Sequence, residues 1–187
     1  GSLTLPRQLS LASTPEGLRL RQTPIAELQN LRTESKQWQN LVVTQQASLP
    51  EDVSGALLEI KAEFVVTPGM DADRLGLRIR TSQTGDEYTT IGYAVKNNTL
   101  FLDRKESGHV DFDSEFPRVH MAELKPINGV IRLHVFIDRT SVEVFANDGL
   151  VVMTDLIFPT NTNLGIELFA DGGEAQGGRH ALGFEDD

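Results

Sequence analysis

The sequence contains no cysteine. That absence excludes disulfide bonds, thiolate metal sites and cysteine nucleophiles, and it leaves the redox compartment undetermined. The four histidines, at positions 109, 120, 134 and 180, are too scattered to form a His-x-His or His-Glu-x-x-His zinc motif. Gly-x-Ser-x-Gly, P-loop and Gly-x-Gly-x-x-Gly motifs are also missing from the chain. We therefore expect neither a metal site nor a cofactor.

Long apolar runs and surplus positive charge are missing too. No stretch approaches the roughly 20 apolar residues that span a bilayer. No signal peptide precedes Gly1 and Ser2, which resemble a cloning scar, so secretion and a cytoplasmic location both stay open. Residues 37–187 hold 12 basic against 24 acidic side chains, a net charge of −12. Because phosphate backbones and anionic lipids bind clustered cations, we expect neither nucleic acid nor a membrane as a partner.

The composition is that of a folded domain. Hydrophobic residues make up 39% and charged residues 24% of the 187 positions, as in globular proteins and unlike disordered chains. This length suffices for one hydrophobic core and does not require a second. We expect a single domain over residues 3–187, in which residues 3–40 are a linker arm with the first strands and residues 41–187 are the β-rich body.

Short strand-like segments dominate the sequence after residue 40. They are rich in β-branched and aromatic residues and are separated by turn residues, which predicts an all-β sandwich or barrel. Examples are ALLEIKAEFVV, RLGLRIRTS, YTTIGYAVK, TLFLDRKES, VIRLHVFID, SVEVFAN and LVVMTDLIF. No long helical pattern separates them, so a parallel α/β sheet is not expected.

Side-chain alternation within one segment predicts which face is buried. In residues 74–80, RLGLRIR, every second residue is apolar, whereas Gly76, Arg78 and Arg80 share the opposite face. A period of two is expected of a strand that has one face in the core and the other in water.

Turn residues predict a meander over residues 130–158. The stretch DRTS at 138–141 should reverse the chain, and NDG at 147–149 supplies residues that tolerate positive φ in a tight hairpin. We expect three antiparallel strands joined by these two turns.

The two ends of the chain differ from the body. In the N-terminal arm, Ile25, Leu28 and Leu31 recur every three residues after Pro24, which predicts a helical turn or two. Residues 171–178 contain four glycines, so the tail is expected to begin as a flexible loop.

Residues 133–149, LHVFIDRTSVEVFANDG, place Asp138, Arg139 and Glu143 among apolar residues. A glycosidase needs two carboxyl groups about 5–10 Å apart, one of them with a raised pKa. The alternative is structural: a turn requires polar residues at Asp138 and Arg139, and Glu143 points to the outer face of its strand. The residues alone leave both interpretations open.

A second group of polar residues has the composition of a carbohydrate-binding patch. Asp103 and Arg104 follow the apolar run LFL at a predicted strand end, and Arg78 lies on the polar face of its strand. Tyr93 offers a surface on which a sugar ring can stack. The alternative is that these charged side chains are exposed and pair with surface acids.

Four stretches carry a resemblance to a known family. They are LTLPRQLSL, RQTPIAELQNLR, GYAVKNNTLFLDRKESG and, most specifically, LHVFIDRTSVEVFANDG. Together they resemble the C-terminal domain of glycoside hydrolase family 32, the invertases, levanases and inulinases. The resemblance covers nearly the whole chain and implies a β-sandwich of two antiparallel sheets, jelly-roll or concanavalin-like. One departure is the lack of a tryptophan-rich final segment, for which we expect a short or frayed last edge.

The resemblance also implies a parent with an N-terminal five-bladed propeller that cleaves β-fructosidic bonds. The catalytic segments of that propeller, Asp-Pro-Asn-Gly, Arg-Asp-Pro and Glu-Cys, are all absent from this sequence. We therefore expect no catalytic residue in this chain, and we expect the propeller of the same parent to be its partner.

Three functional hypotheses follow. The first is a non-catalytic accessory domain that stabilises the propeller of a levanase, inulinase or invertase. The second is a fructan-binding module, similar to modules for terminal fructose, in which levan, inulin or fructose is bound by Arg78, Tyr93, Asp103, Arg104 and Glu143. The third is a complete small glycosidase that uses Glu143.

Overall fold

The structure is a computed structural model that describes residues 3–49, 53–160 and 162–184. These described residues form thirteen β-strands and one short 3₁₀ helix. Within them, no helix is long and apolar enough to cross a membrane.

The strands are numbered in chain order. The first six are β1 (Arg7–Thr14), β2 (Gly17–Pro24), β3 (Glu34–Gln39), β4 (Val42–Ser48), β5 (Leu58–Val65) and β6 (Arg74–Thr81). The other seven are β7 (Thr89–Ala94), β8 (Thr99–Asp103), β9 (Val119–Glu123), β10 (Val130–Ile137), β11 (Ser141–Ala146), β12 (Val151–Leu156) and β13 (Gly165–Phe184).

Eleven of these strands form two layers that share β13. The first layer, sheet one, has the order β12-β11-β10-β5-β13-β3. The second layer, sheet two, has the order β9-β8-β7-β6-β13-β4. Every pairing between these strands is antiparallel, so the predicted sandwich of two antiparallel sheets is confirmed.

The C-terminal strand β13 joins the two sheets, so the prediction that the tail begins as a flexible loop over residues 171–178 is wrong. Residues 165–171 of β13 pair with β6, and residues 176–184 pair with β5 after shifts in register. The glycines allow this bend and a close approach of two chains: a Cβ on Gly172 would lie 2.8 Å from Asp73 Oδ2, and one on Gly173 would lie 2.4 Å from Asp71 Cβ.

Apolar side chains between the two sheets form one core. The predicted inner face of β6 is confirmed, because Leu75, Leu77 and Ile79 are buried. Sheet one contributes the alternate residues of β5, β10 and β11, which are Leu58, Ile60, Ala62, Phe64, Ile131, Leu133, Val135, Ile137, Val142, Val144 and Ala146. This alternation leaves the intervening residues of each strand on the outer faces.

Arg80 departs from the predicted alternation. Its residue is only 2% exposed, and its backbone has a φ of 55°. Gly165 and Ile166 of β13 pair with Thr81 and Ile79, which leaves Arg80 as the extra residue of a β-bulge. The prediction of a solvent-facing Arg80 is wrong because a bulge redirects the side chain it carries.

The predicted meander and its turns are confirmed. Strands β10, β11 and β12 pair in sequence, and residues 138–140 form the first reversal. Asn147, Asp148 and Gly149 all have positive φ, with values of 45°, 59° and 83°. The motif thus fixes the register of half of sheet one.

The N-terminal arm contains a separate hairpin and a 3₁₀ helix. Strands β1 and β2 pair only with each other among the described strands, and the helix covers Ala26–Leu31. The helix confirms the prediction from residues spaced by three, which is the number of residues in one 3₁₀ turn.

Candidate functional site

The structure separates the five predicted sugar-binding residues. Arg78 on β6 pairs with Thr90 on β7, which pairs with Asp103 on β8, so these three side chains form a row on the outer face of sheet two. Tyr93 is fully buried in the core, where its hydroxyl donates to Asn98 Oδ1 at 2.7 Å. Of the five residues, only Arg78 and Asp103 are brought onto one face.

Arg104 joins the two sheets at their open side. Its Nη1 lies 3.3 Å from Asp155 Oδ1 on β12, and its guanidinium lies 4.0 Å from the ring centroid of Phe116. His120 on β9 places Nδ1 2.8 Å from the same carboxylate. Since Asp155 is only 5% exposed, Arg104 is engaged in a buried ion pair and does not reach the other predicted residues.

Glu143 lies on the outer face of sheet one, where the N-terminal arm covers it. Its Oε1 accepts the Leu5 backbone N–H at 2.6 Å, and its Oε2 accepts Arg7 Nη2 at 2.5 Å. Arg7 Nη2 also donates to Thr154 Oγ1 at 2.8 Å. The side chain of Glu143 is 7% exposed, so this ion pair is shielded from solvent.

A second carboxylate, Glu59 on β5, holds the end of the same arm. Arg32, the first residue after the 3₁₀ helix, donates through Nη2 to Glu59 Oε1 at 2.5 Å and through Nε to Oε2. His134 Nε2 on β10 lies 2.6 Å from Glu59 Oε1. Arg7 and Arg32 of the arm are therefore each bound by one buried carboxylate of sheet one.

Aromatic rings fill the space around the two carboxylates. Phe136 on β10 pairs with Glu59 on one side and with Glu143 on the other. Its ring lies 4.6 Å from that of His134 and 6.0 Å from that of Phe145, measured between centroids. We call the group formed by Arg7, Arg32, Glu59, His134, Phe136, Glu143 and Phe145 the arm clamp. In this group the Phe136 ring lies between the Arg7–Glu143 and Arg32–Glu59 ion pairs, which bind the arm at two separate points.

The pKa of Glu59 shows what the clamp does chemically. Burial alone would raise it, but the hydrogen bonds from His134 and Arg32 outweigh burial and lower the pKa to about 2. A general acid of a glycosidase requires the opposite direction, a raised pKa. Glu59 therefore stays ionised, and its negative charge serves to hold Arg32.

The surroundings of the two carboxylates also disfavour catalysis. Glu59 and Glu143 lie two strands apart, which separates their backbones by about 10 Å, and Phe136 lies between them. Both oxygens of each carboxylate accept hydrogen bonds from the protein. The geometry fits the structural interpretation of the LHVFIDRTSVEVFANDG motif.

Sequence reasoning selected Glu143 but missed its partners. Arg7 and Glu143 are 136 residues apart, and Arg32 and Glu59 belong to segments that were assigned separate roles. One signal was available: Glu59 interrupts the apolar run ALLEI, and a charged side chain in a buried strand requires a partner. The identity of that partner could not be read from the sequence.

Comparison with known proteins gives the family directly. Residues 27–182 match the family described as "Glycosyl hydrolases family 32 C terminal". The levanase of Bacillus subtilis (strain 168) is 42% identical over 172 residues, which cover 91% of this chain and 25% of that protein. The levanase of Bacillus sp. (strain L7) is 38% identical over 182 residues, covering 94% of this chain and 19% of that protein.

Solved structures share the fold. The exo-inulinase of Aspergillus awamori aligns with a TM-score of 0.83 and 27% identity over 98% of this chain and 36% of that chain. Fructan 1-exohydrolase IIa of Cichorium intybus aligns with a TM-score of 0.77 at 15% identity, over 96% of this chain and 40% of that chain, which shows the fold alone. By sequence, the chain spans about a quarter of the B. subtilis levanase. This chain belongs to glycosyl hydrolases family 32, as a C-terminal domain.

Proposed function

We propose that this chain is a non-catalytic domain that stabilises the catalytic domain of a longer β-fructosidase. The relatives named as levanases and inulinases are much longer than this chain, which leaves room in a similar parent for a separate catalytic part. The motifs that the resemblance assigns to catalysis are missing here.

The arm clamp is the observation that carries this proposal. An accessory domain needs a fixed attachment to what precedes it, and the clamp binds the arm through Glu143 near residue 7 and through Glu59 near residue 32. Removal of one partner from an ion pair whose carboxylate is as buried as these costs several kcal/mol of stability. Glu143 and Glu59, whose residue type is also used in glycosidase active sites, thus serve a rigid connection.

The test compares the parent protein with a truncated form that lacks residues 27–187 of this sequence. We expect the temperature at which fructose release from levan is lost to be about 5 °C or more lower in the truncated form. At low temperature, where both forms are folded, their substrate affinity and turnover number should be the same. Equal inactivation temperatures for the two forms would contradict the stabilising role.

A second candidate function, fructan binding, is favoured by the row on sheet two. The guanidinium of Arg78 lies 4.9 Å from the ring centroid of Tyr88 and 5.4 Å from that of Phe169, and its Nε is buried without a hydrogen-bond partner. Asp103 lies two strands away on the same face, with Thr90 between them. An arginine and a carboxylate on one face suit the vicinal hydroxyl groups of a sugar.

Isothermal titration of the 187-residue chain with levan and inulin tests this candidate. Binding that is lost in Arg78→Ala and retained in Arg74→Ala would support it, since Arg74 is a more exposed arginine on the same strand, paired with Asp171. No heat above background with either fructan would reject it.

A further inference from the structure

Arg80 is a buried arginine whose guanidinium lacks hydrogen-bond acceptors. The residue is only 2% exposed, and the β-bulge turns its side chain inward. Its Nε and Nη1 atoms are both buried, and neither has a hydrogen-bond partner within residues 3–49, 53–160 and 162–184. An arginine does not lose its proton in a protein, so both N–H groups stay donors. Because buried donors and buried charges require partners, Arg80 points to an occupant that accepts these hydrogen bonds.

Two nearby carboxylates attract Arg80 but accept hydrogen bonds from other groups. Glu87 and Asp138 each act on the charge of Arg80. The two oxygens of Glu87 accept the backbone N–H and the hydroxyl of Thr160, at 2.5 and 2.9 Å. Oδ1 of Asp138 accepts the backbone N–H of Arg139 at 2.6 Å. Neither carboxylate is therefore the acceptor that Nε and Nη1 of Arg80 require.

The charge around Arg80 favours an anion over a water molecule. Burial and the positive charge of Arg139 lower the pKa of Arg80, and the opposing effect of Glu87 and Asp138 is too small to cancel them. The guanidinium thus carries a positive charge that its surroundings do not fully balance, and an anion balances such a charge whereas water does not. The next residue, Thr81, has a buried hydroxyl that also lacks a partner among the described residues and is able to donate to an anion.

The position of Arg80 limits the size of the occupant. Arg80 is the penultimate residue of β6 in sheet two, and Glu87 lies in the loop that follows β6. Asp138 and Arg139 belong to the turn between β10 and β11 in sheet one. With 2% of the residue exposed, Arg80 offers no surface to a sugar or a phosphate group, whereas a monatomic anion needs only about the space of one water molecule.

We propose that Nε and Nη1 of Arg80 bind a chloride ion between the end of β6 and the turn at residues 138–141. The ion supplies the missing acceptor and the missing negative charge at once. It also joins sheet two to the meander turn of sheet one, so its binding stabilises this end of the sandwich. The site shares no residue with the arm clamp or with the row of Arg78, Thr90 and Asp103, so the proposal does not rest on the proposed function.

Thermal unfolding of the 187-residue chain in sodium chloride and in sodium gluconate tests the proposal. The ionic strength is the same in both series, so the general screening of surface charges cancels. An ion that binds only the folded chain raises its melting temperature by about 3–6 °C at about ten times the dissociation constant. We expect that rise in chloride and no rise in gluconate. Melting temperatures that are equal in the two salts at every concentration would overturn the proposal.

Substitution of Arg80 shows whether the chloride response belongs to this site. Arg80→Met removes the charge and the N–H donors and keeps an unbranched side chain, so its melting temperature should not respond to chloride. Arg74→Met is the matched control on the same strand, since the Arg74 side chain is 56% exposed and pairs with Asp171 at 2.7 Å. The control should keep the full response. A full response in Arg80→Met, or an equal loss in both variants, would contradict a site at Arg80.

Crystals of the chain grown with bromide in place of chloride give a test that does not depend on the folding of Arg80→Met. Bromide is located by its anomalous scattering, which a water molecule lacks. We expect one bromide within hydrogen-bond distance of Nε and Nη1 of Arg80. Density at that place without an anomalous signal would identify a buried water and overturn the proposal. Bromide found only beside exposed arginines such as Arg19 would show an adventitious ion only, and it would overturn the proposal as well.

Discussion

Replacement of Glu59 by glutamine removes the charge at the centre of one ion pair while it keeps the shape of the side chain. The pKa of Glu59 lies at about 2 instead of the ordinary 4.5. This difference corresponds to about 3 kcal/mol of stabilisation at neutral pH, at about 1.4 kcal/mol per pKa unit. Arg32 is 30% exposed, so solvent screening reduces the expected loss in Glu59→Gln to about 2–3 kcal/mol.

The assay is urea and thermal unfolding of the 187-residue chain at pH 7. For a domain of this size, a loss of about 2–3 kcal/mol lowers the melting temperature by about 4–12 °C. Glu63→Gln is the matched control, because Glu63 is on the same face of β5 and pairs with Arg132 at 3.2 Å but is 37% exposed. We expect that control to lie within about 0.5 kcal/mol of the wild type.

The pH dependence gives an independent readout of the same pair. Because the folded-state pKa of Glu59 is lowered, its stabilisation is complete above the unfolded value of about 4.5 and is lost as the pH falls towards about 2. The wild type should therefore lose more stability between pH 5 and pH 2 than Glu59→Gln does. A Glu59→Gln variant within about 0.5 kcal/mol of the wild type at pH 7 would refute the reasoning.

Three further predictions concern the arm, a turn and the core. Arg7→Ala should make the β1–β2 hairpin markedly more sensitive to limited proteolysis. Arg19→Ala should not, because the Arg19 side chain is 58% exposed, and equal cleavage of the two variants would argue against the arm clamp. In Gly149→Ala the new Cβ would lie 1.8 Å from the Gln22 carbonyl oxygen, so thermal unfolding should show a loss of more than about 1 kcal/mol relative to Gly17→Ala, whose Cβ meets nothing within 4 Å. Burial raises the pKa of Tyr93 to about 12, so the contribution of its neutral phenol to the stability of the fold is complete below pH 10 and is lost as the pH rises through about 12. The ultraviolet absorbance of Tyr93 should therefore not titrate near pH 10, and a titration near pH 10 would exclude a buried Tyr93.

The features that the sequence predicted correctly depend on local pattern. Alternating apolar residues identified the buried face of β6, and the turn residues 138–141 and 147–149 identified the meander. The three-residue spacing of apolar residues identified the helix Ala26–Leu31. In each case the residues that determine the structure lie within one or two turns of each other, so no distant contact had to be known.

The features that the sequence did not predict depend on distant contacts. The glycines of residues 171–178 were interpreted as a loop, yet Gly172 and Gly173 let β13 bend against the segment that contains Asp71 and Asp73. Arg80 fits a simple alternation until a bulge in its pairing with β13 turns it inward. The family resemblance supplied the sandwich, but it did not indicate which residues bind the arm.

The candidate site shows the same limit. Arg78, Asp103 and Glu143 were chosen by residue type, and residue type does not determine which strands become neighbours. The structure pairs the strands of Arg78 and Asp103 through β7 but places Glu143 on the other sheet. Glu59 was missed because its partner, Arg32, lies 27 residues earlier beyond two intervening strands.

The most direct test of the account is fructose release from levan, inulin and sucrose by the purified 187-residue chain, with the parent protein and its Glu143→Gln variant assayed alongside. The account predicts no turnover by the chain even at high enzyme concentration, and a parent variant that melts at a lower temperature but keeps its turnover number below that temperature. Turnover by the chain that Glu143→Gln abolishes would contradict it.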